Sequence, residues 1–272
     1  MNKFTALSLL SVASSAVAVP MAGARMEFNG AYPTKAVVGH DIDTVKGTAI
    51  GGAMSIPTAV PKALFAASDN TTTTTTGAYP PDIVTITVIN SYGSPITTSH
   101  SIASSVPTPV SGDVGTGTMS DGETASFAVP TGWIGNIAVN DAQYQTTGDV
   151  SLIEANFVVP WGGTVAVVDV DISYVDGYSV PIVCSCNDAV VTGCNLDLFS
   201  LNTCPDNDGQ NACVNPLRPD TSATAATPFF APCQGMAYTF PFDSLANSDG
   251  YCQDGHVTCC VGTACPPNPK QT

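Results

Sequence analysis

All ten cysteines lie in the last third of this chain, at Cys184, Cys186, Cys194, Cys204, Cys213, Cys233, Cys252, Cys259, Cys260 and Cys265. An even set of cysteines, interleaved with Asn, Asp, Gly and Pro, reads as five disulfides formed in an oxidising compartment. That constrains the fold in two ways. The segment after residue 181 is predicted to be a loop-rich lobe whose small core needs covalent staples. The part before it has no staples and must be held by an ordinary apolar core. Spacing alone does not assign the pairs.

The N-terminus fits the same compartment. Lys3, a short apolar run and Ala16-Val17-Ala18 make a signal peptide over residues 1–18, with a small-x-small cleavage site. No later segment is long and apolar enough to span a bilayer, and the closing PPNPKQT lacks a lipid-anchor tail. The expected location is extracellular or in the cell wall. Residues 19–82 are rich in Ala, Gly, Pro and Thr and read as a pro-segment, a spacer or a plain extension. Asn70-Thr71-Thr72 is an N-glycosylation acceptor at the head of a threonine run, 71–76.

From residue 83 the pattern is β. Val84 to Val88 alternates cleanly, and Asn90-Ser91-Tyr92-Gly93 signals a turn. A returning strand is expected over 96–102, a loop over 106–121, and short strands over 125–129, 134–139 and 152–159. The strand over 164–174 places Ala166, Val168, Val170, Ile172 and Tyr174 on one parity. Asp169, Asp171 and Ser173 fall on the other. Asp176-Gly177 then marks a turn. Only residues 196–201 look helical. Short, closely spaced strands with no helical period indicate an all-β protein, an antiparallel β-sandwich followed by a disulfide-rich loop lobe. The expected division is a domain over 83–266, cysteine-free to 181 and stapled over 182–266, with a tail at 267–272. Reduction is accordingly expected to unfold the stapled lobe first.

Charge narrows the partners. From residue 81 onward only Arg218 and Lys270 are basic, against eighteen Asp and Glu. Such a surface repels phosphate backbones, which argues against nucleic acid and anionic membrane. Neutral polymers, cations or basic proteins fit better, as does simple solubility in acidic surroundings. The candidate chemistry is carboxylate: Asp169 and Asp171 share a strand face, and Glu154 shares it if the 152–159 strand buries its Ile153 parity. Asp176 and Asp243 are further candidates. Paired carboxylates suit glycosidic bond cleavage, but the set also suits sugar hydroxyls, a cation or solvated strand-face charge. The cysteines read as disulfides rather than metal ligands, and no cofactor is expected. Trp133 and Trp161 are expected to pack, with sugar stacking as the alternative.

Several segments carry a resemblance, in order. They are ITVINSYGSPITTSHSIAS from Ile86, SFAVPTGWIGNIAVN after Ser120-Asp121-Gly122-Glu123, and the Ser151–Phe157 strand. VDISYVDGYSVPI from Val170, GCNLDLFSLNTCP, FFAPCQGMAYTFPFD and a closing Cys-Pro follow. Together they resemble the thaumatin-like (osmotin, pathogenesis-related group 5) family, in its fungal branch, over roughly residues 83–266. The resemblance implies a sandwich with disulfide-rich loops and an acidic cleft between them. It implies that Glu154, Asp171, Asp176 and Asp243 supply the cleft carboxylates, and that Asn136 stands where the family has arginine. Glu154 would be the proton donor and Asp171 the nucleophile or base. The implied function is recognition of β-1,3-glucan by a secreted monomer, with weak glucanase or antifungal activity. The alternative is a non-catalytic wall component or effector that meets a wall or host protein. Enzyme inhibition, known for some family members, is selected by nothing in the sequence. The family's near-terminal first cysteine is absent here, so its pairing does not transfer.

Overall fold

The computed structural model describes residues 81–112, 117–248 and 250–271. The signal peptide, nearly all of the 19–82 extension and Asn70 lie outside the described residues. Strand β1 (Ile83–Asn90) follows its alternation: Val84, Ile86 and Val88 are buried, while Thr85 and Thr87 are only half-buried. It is joined by β2 (Ile96–Ile102), β3 (Ser111–Gly112), β4 (Gly117–Met119), β5 (Thr124–Pro130), β6 (Trp133–Asp141), β7 (Ser151–Val158) and β8 (Val167–Ser173). The later strands are β9 (Gly177–Tyr178), β10 (Ile182–Cys186), β11 (Ala189–Cys194), β12 (Cys213–Val214) and β13 (His256–Val261). A short α-helix, α1 (Leu198–Leu201), is capped by the Asp197 side chain.

Two sheets form. One runs β11-β10-β13-β1-β5-β3 and the other β4-β2-β6-β7-β8, with a two-stranded ribbon of β9 and β12. Their inner faces share one core. Val84, Ile86 and Phe127 of the first meet Trp133, Ile137, Ile153, Phe157 and Val170 of the second. The Phe127 and Trp133 rings lie 5.8 Å apart. The protein is therefore all-β and sandwich-like.

Two features depart from the sequence reading. First, β2 does not return beside β1. It crosses to the second sheet, as β6 does after β5. Asn90 builds the first corner: its amide donates to the Ser94 and Met119 carbonyls, and its Oδ1 accepts from Tyr92 N. Alternation states which residues face inward but not which sheet a strand joins. Second, residue 181 borders a change in cysteine content but not a change of sheet. β13 pairs in parallel with β1, and β10 and β11 extend the same sheet. Cys184–Cys259 links directly opposed residues of β10 and β13. The others are Cys186–Cys252, Cys194–Cys233, Cys204–Cys213 and Cys260–Cys265.

Residues after β8 fold back onto the second sheet. Tyr174 OH donates to the Cys194 carbonyl and accepts from Ile182 N. Tyr178 OH donates to the Leu196 carbonyl and accepts from Leu198 N. These two buried rings, 5.1 Å apart, seat the lobe. The outer edge of β8 is covered by residues 238–248 and 250–253. Tyr238 bonds the Ile172 and Tyr174 backbone, Ser248 Oγ bonds Val170, and the Gln253 amide bonds Ala166 and Val168. Covering an edge in this way satisfies its backbone and removes a template for aggregation.

Candidate functional site: a buried carboxylate row

Register across β6, β7 and β8 aligns Asn136 with Glu154 and Glu154 with Asp171. One step along the sheet, Asn156 stands opposite Asp169. Directly opposed residues of antiparallel strands hold their Cβ atoms about 5 Å apart, so these side chains form one polar cluster on the face away from the core. That face was expected to meet solvent. It does not: Glu154 is 9% exposed, Asp171 5% and Asp169 2%. The lobe accounts for this. Ala212 packs on Leu152 and Val150 near one end, where the Asn140 amide also donates to the Gln210 carbonyl. Tyr238, on the segment that covers β8, lies close enough to feel all three carboxylates.

Burial decides the protonation of this row. It pushes the Glu154 carboxyl up to about 8, with the charges of Asp176 and Asp169 adding and the Ser173 hydroxyl opposing. Asp171 moves the same way, well above the carboxylate range, through burial and then through Glu154 and Asp169. Its Oδ1 has no hydrogen-bond partner. The Tyr238 phenol is held protonated by burial and by the same carboxylates. At mildly acidic pH Glu154 and Asp171 are held as neutral acids.

Asp176 has a different environment. Arg218 reaches in from the lobe, with Nε 2.9 Å from Asp176 Oδ1, an ion-pair contact whose N–H is not aimed along a hydrogen bond. Its Nη2 donates to the Asp176 carbonyl at 2.6 Å and to the Asp149 carboxylate. Burial raises the Asp176 carboxyl, Arg218 opposes that, and Asp149 adds to it. The turn is tight: a Cβ on Gly177 would collide with the Asp149 and Cys213 carbonyl oxygens, which is why glycine follows Asp176. So an arginine does serve this region, although Asn136 occupies the strand position. The sequence reading gave Arg218 and Asp149 no role. The available signal was scarcity: from residue 81 onward Arg218 is the one arginine among eighteen acids, and such a cation draws carboxylates.

Asp243 does not join the row. Its Oδ2 accepts from Gly235 N, Thr239 N and Thr239 Oγ1, which staples the 235–243 loop. Burial raises this carboxyl and those hydrogen bonds oppose the rise. It lies on the wall of an open groove of about 550 Å³, whose lining includes Gln234, Phe240 and Phe242 but neither Glu154, Asp171 nor Asp176. The two tryptophans part company. Trp133 is buried in the core at 1% exposure, whereas Trp161, in the β7–β8 connection, is 85% exposed. Among the described residues no group of three or more His, Cys, Asp or Glu side chains is placed to hold a metal ion. No family model and no curated protein matches the chain, so its likeness to the thaumatin-like proteins rests on the quoted motifs alone.

Proposed function

We propose that this is a secreted, thaumatin-like protein that binds neutral cell-wall polysaccharide of the β-1,3-glucan kind without hydrolysing it. The observation that carries the reading is the shared burial of Glu154 and Asp171. Glycoside hydrolysis needs one carboxyl protonated as the acid and its partner ionised as nucleophile or base, with the sugar between them. Here burial pushes both acids up, so the pair lacks the contrast between a protonated acid and an ionised partner that hydrolysis requires. The lobe also covers the face where a sugar would enter. The row then acts as a folded centre that ties β7 and β8 to the lobe.

The chain carries a net charge of −15, which disfavours anionic partners. Five disulfides suit an oxidising exterior. The motif order from Ile86 to Pro266 resembles that of the thaumatin-like family. The test is co-sedimentation with insoluble β-1,3-glucan, run beside an assay for reducing ends released from laminarin. Retention without release is expected. Release that disappears in Glu154→Gln would restore a catalytic reading, and absence of retention on any neutral polysaccharide would leave a structural role instead.

A further inference from the structure

The groove beside Asp243 has the chemistry of a sugar site. Its lining brings together the half-buried Phe242, the exposed Gln234, Ser222 and Thr224, with the largely buried Phe240 and Asp243 behind them. A pyranose ring presents the same pairing: apolar C–H faces with hydroxyls around the edge. Its volume, about 550 Å³, lies within the range of about 300–1,000 Å³ typical of small-ligand sites.

The groove is built rather than accidental. Cys233, next to Gln234, is tied to Cys194 of β11. Asp243 Oδ2 holds three donors of the 235–239 turn. Lys270, from the C-terminal tail, donates its Nζ to the Gly235 carbonyl at 3.1 Å and also to the Leu245 carbonyl. Gln234 Oε1 accepts from Ala226 N, which orients the amide and leaves its NH₂ available as a donor. Preorganisation of this kind lowers the ordering cost of binding.

Charge selects the ligand class. Among the described residues lining the groove, Asp243 is the only charged one. Of the two described Lys and Arg side chains, Arg218 is engaged with Asp149 and Asp176, whereas Lys270 sits at the groove's edge, its Nζ held by the Gly235 and Leu245 carbonyls and its charge acting on Asp243. The Lys270 ammonium is offset by the Asp243 carboxylate and already donates to two carbonyls, so the groove has no surplus positive charge for a phosphate, a sulfate or a uronate. The Asp243 charge is already met by three hydrogen bonds, so it does not call for a cation.

We infer that the Phe240–Phe242–Gln234–Asp243 groove is the surface that takes the polysaccharide, as a short run of neutral pyranose rings, and that it does so apart from the buried row of Glu154 and Asp171. The inference rests on the binding function proposed above. Calorimetric titration with laminarin, using the full secreted chain, tests it. Phe242→Ala and Gln234→Ala are each expected to weaken binding about tenfold or more, while Glu154→Gln binds as wild type does. Gln234 is exposed, so its variant remains informative if Phe242→Ala disturbs folding. Undiminished binding by both groove variants overturns the inference while leaving the binding function intact. No binding by the wild-type protein overturns both. Tighter binding to polygalacturonate or to a basic peptide than to laminarin refutes the neutral-sugar assignment.

Discussion

The buried carboxylate row makes the protein's stability depend on pH in a direction opposite to that of most acid-rich proteins. Glu154 has an ordinary value of 4.5 and is pushed up to about 8 in the folded chain. Its protonated form is therefore the one the fold prefers. Below 4.5 both states hold the proton and no stability is lost. As pH climbs, the unfolded chain gains by ionising while the folded chain does not, and stability falls by about 1.4 kcal/mol per pH unit. The loss ends once pH passes the folded value, about 8, after a total on the order of 5 kcal/mol. Asp171 shifts the same way and steepens the fall. Urea denaturation at about pH 5 and about pH 8.5 should show wild type markedly weaker at the higher pH. Glu154→Gln keeps the shape and removes the charge, so it should abolish much of that difference. A wild-type protein as stable at the alkaline pH as at the acidic one would refute the argument. So would a Glu154→Gln variant with an unaltered pH slope.

Two further outcomes follow from the lobe's attachment. Arg218→Ala leaves Asp149 and Asp176 facing each other without their cation. Both partners retain some solvent access, so a cost of about 1–3 kcal/mol is expected by thermal melting. The Asp176 carboxyl should also titrate higher by NMR, and an unchanged melt with an unchanged titration would remove Arg218 from its bridging role. Cys184–Cys259 closes a span of 75 residues, and replacing both by alanine should cost about 4 kcal/mol in the chain-entropy account. Because β10 and β13 share a sheet with β1, reduction should unfold the whole molecule in one transition. Survival of the residue 83–178 strands after the lobe has melted would show the two parts to be independent.

The strands were legible because alternation is a local property. The runs around Val84–Val88, Ile153–Phe157 and Val168–Ile172 appear where their periodicity placed them. The turn at Asp176-Gly177 was legible for the same reason, since a glycine beside an aspartate narrows the local backbone choices. Oxidation of all ten cysteines followed from their number and company, but their pairing depends on which strands become neighbours, and spacing does not carry that.

The row of Glu154 and Asp171 divides along the same line. Parity put both carboxylates on the face opposite Ile153 and Ile172, and the register of β7 against β8 makes them direct neighbours. What lies over that face is a long-range matter. It is set by Tyr174 and Tyr178 catching the backbone near Cys194 and Leu198, and by residues 238–248 and 250–253 closing the edge of β8. The sequence by itself determined an all-β, disulfide-bonded chain with carboxylates in a row. The packing of distant segments sets the burial of the row and the upward shift of Glu154 and Asp171, brings Arg218 to Asp176 from the lobe, and leaves the open groove elsewhere. The reason is physical: side-chain direction along a strand is local, whereas the desolvation that governs a carboxylate comes from residues distant in the chain.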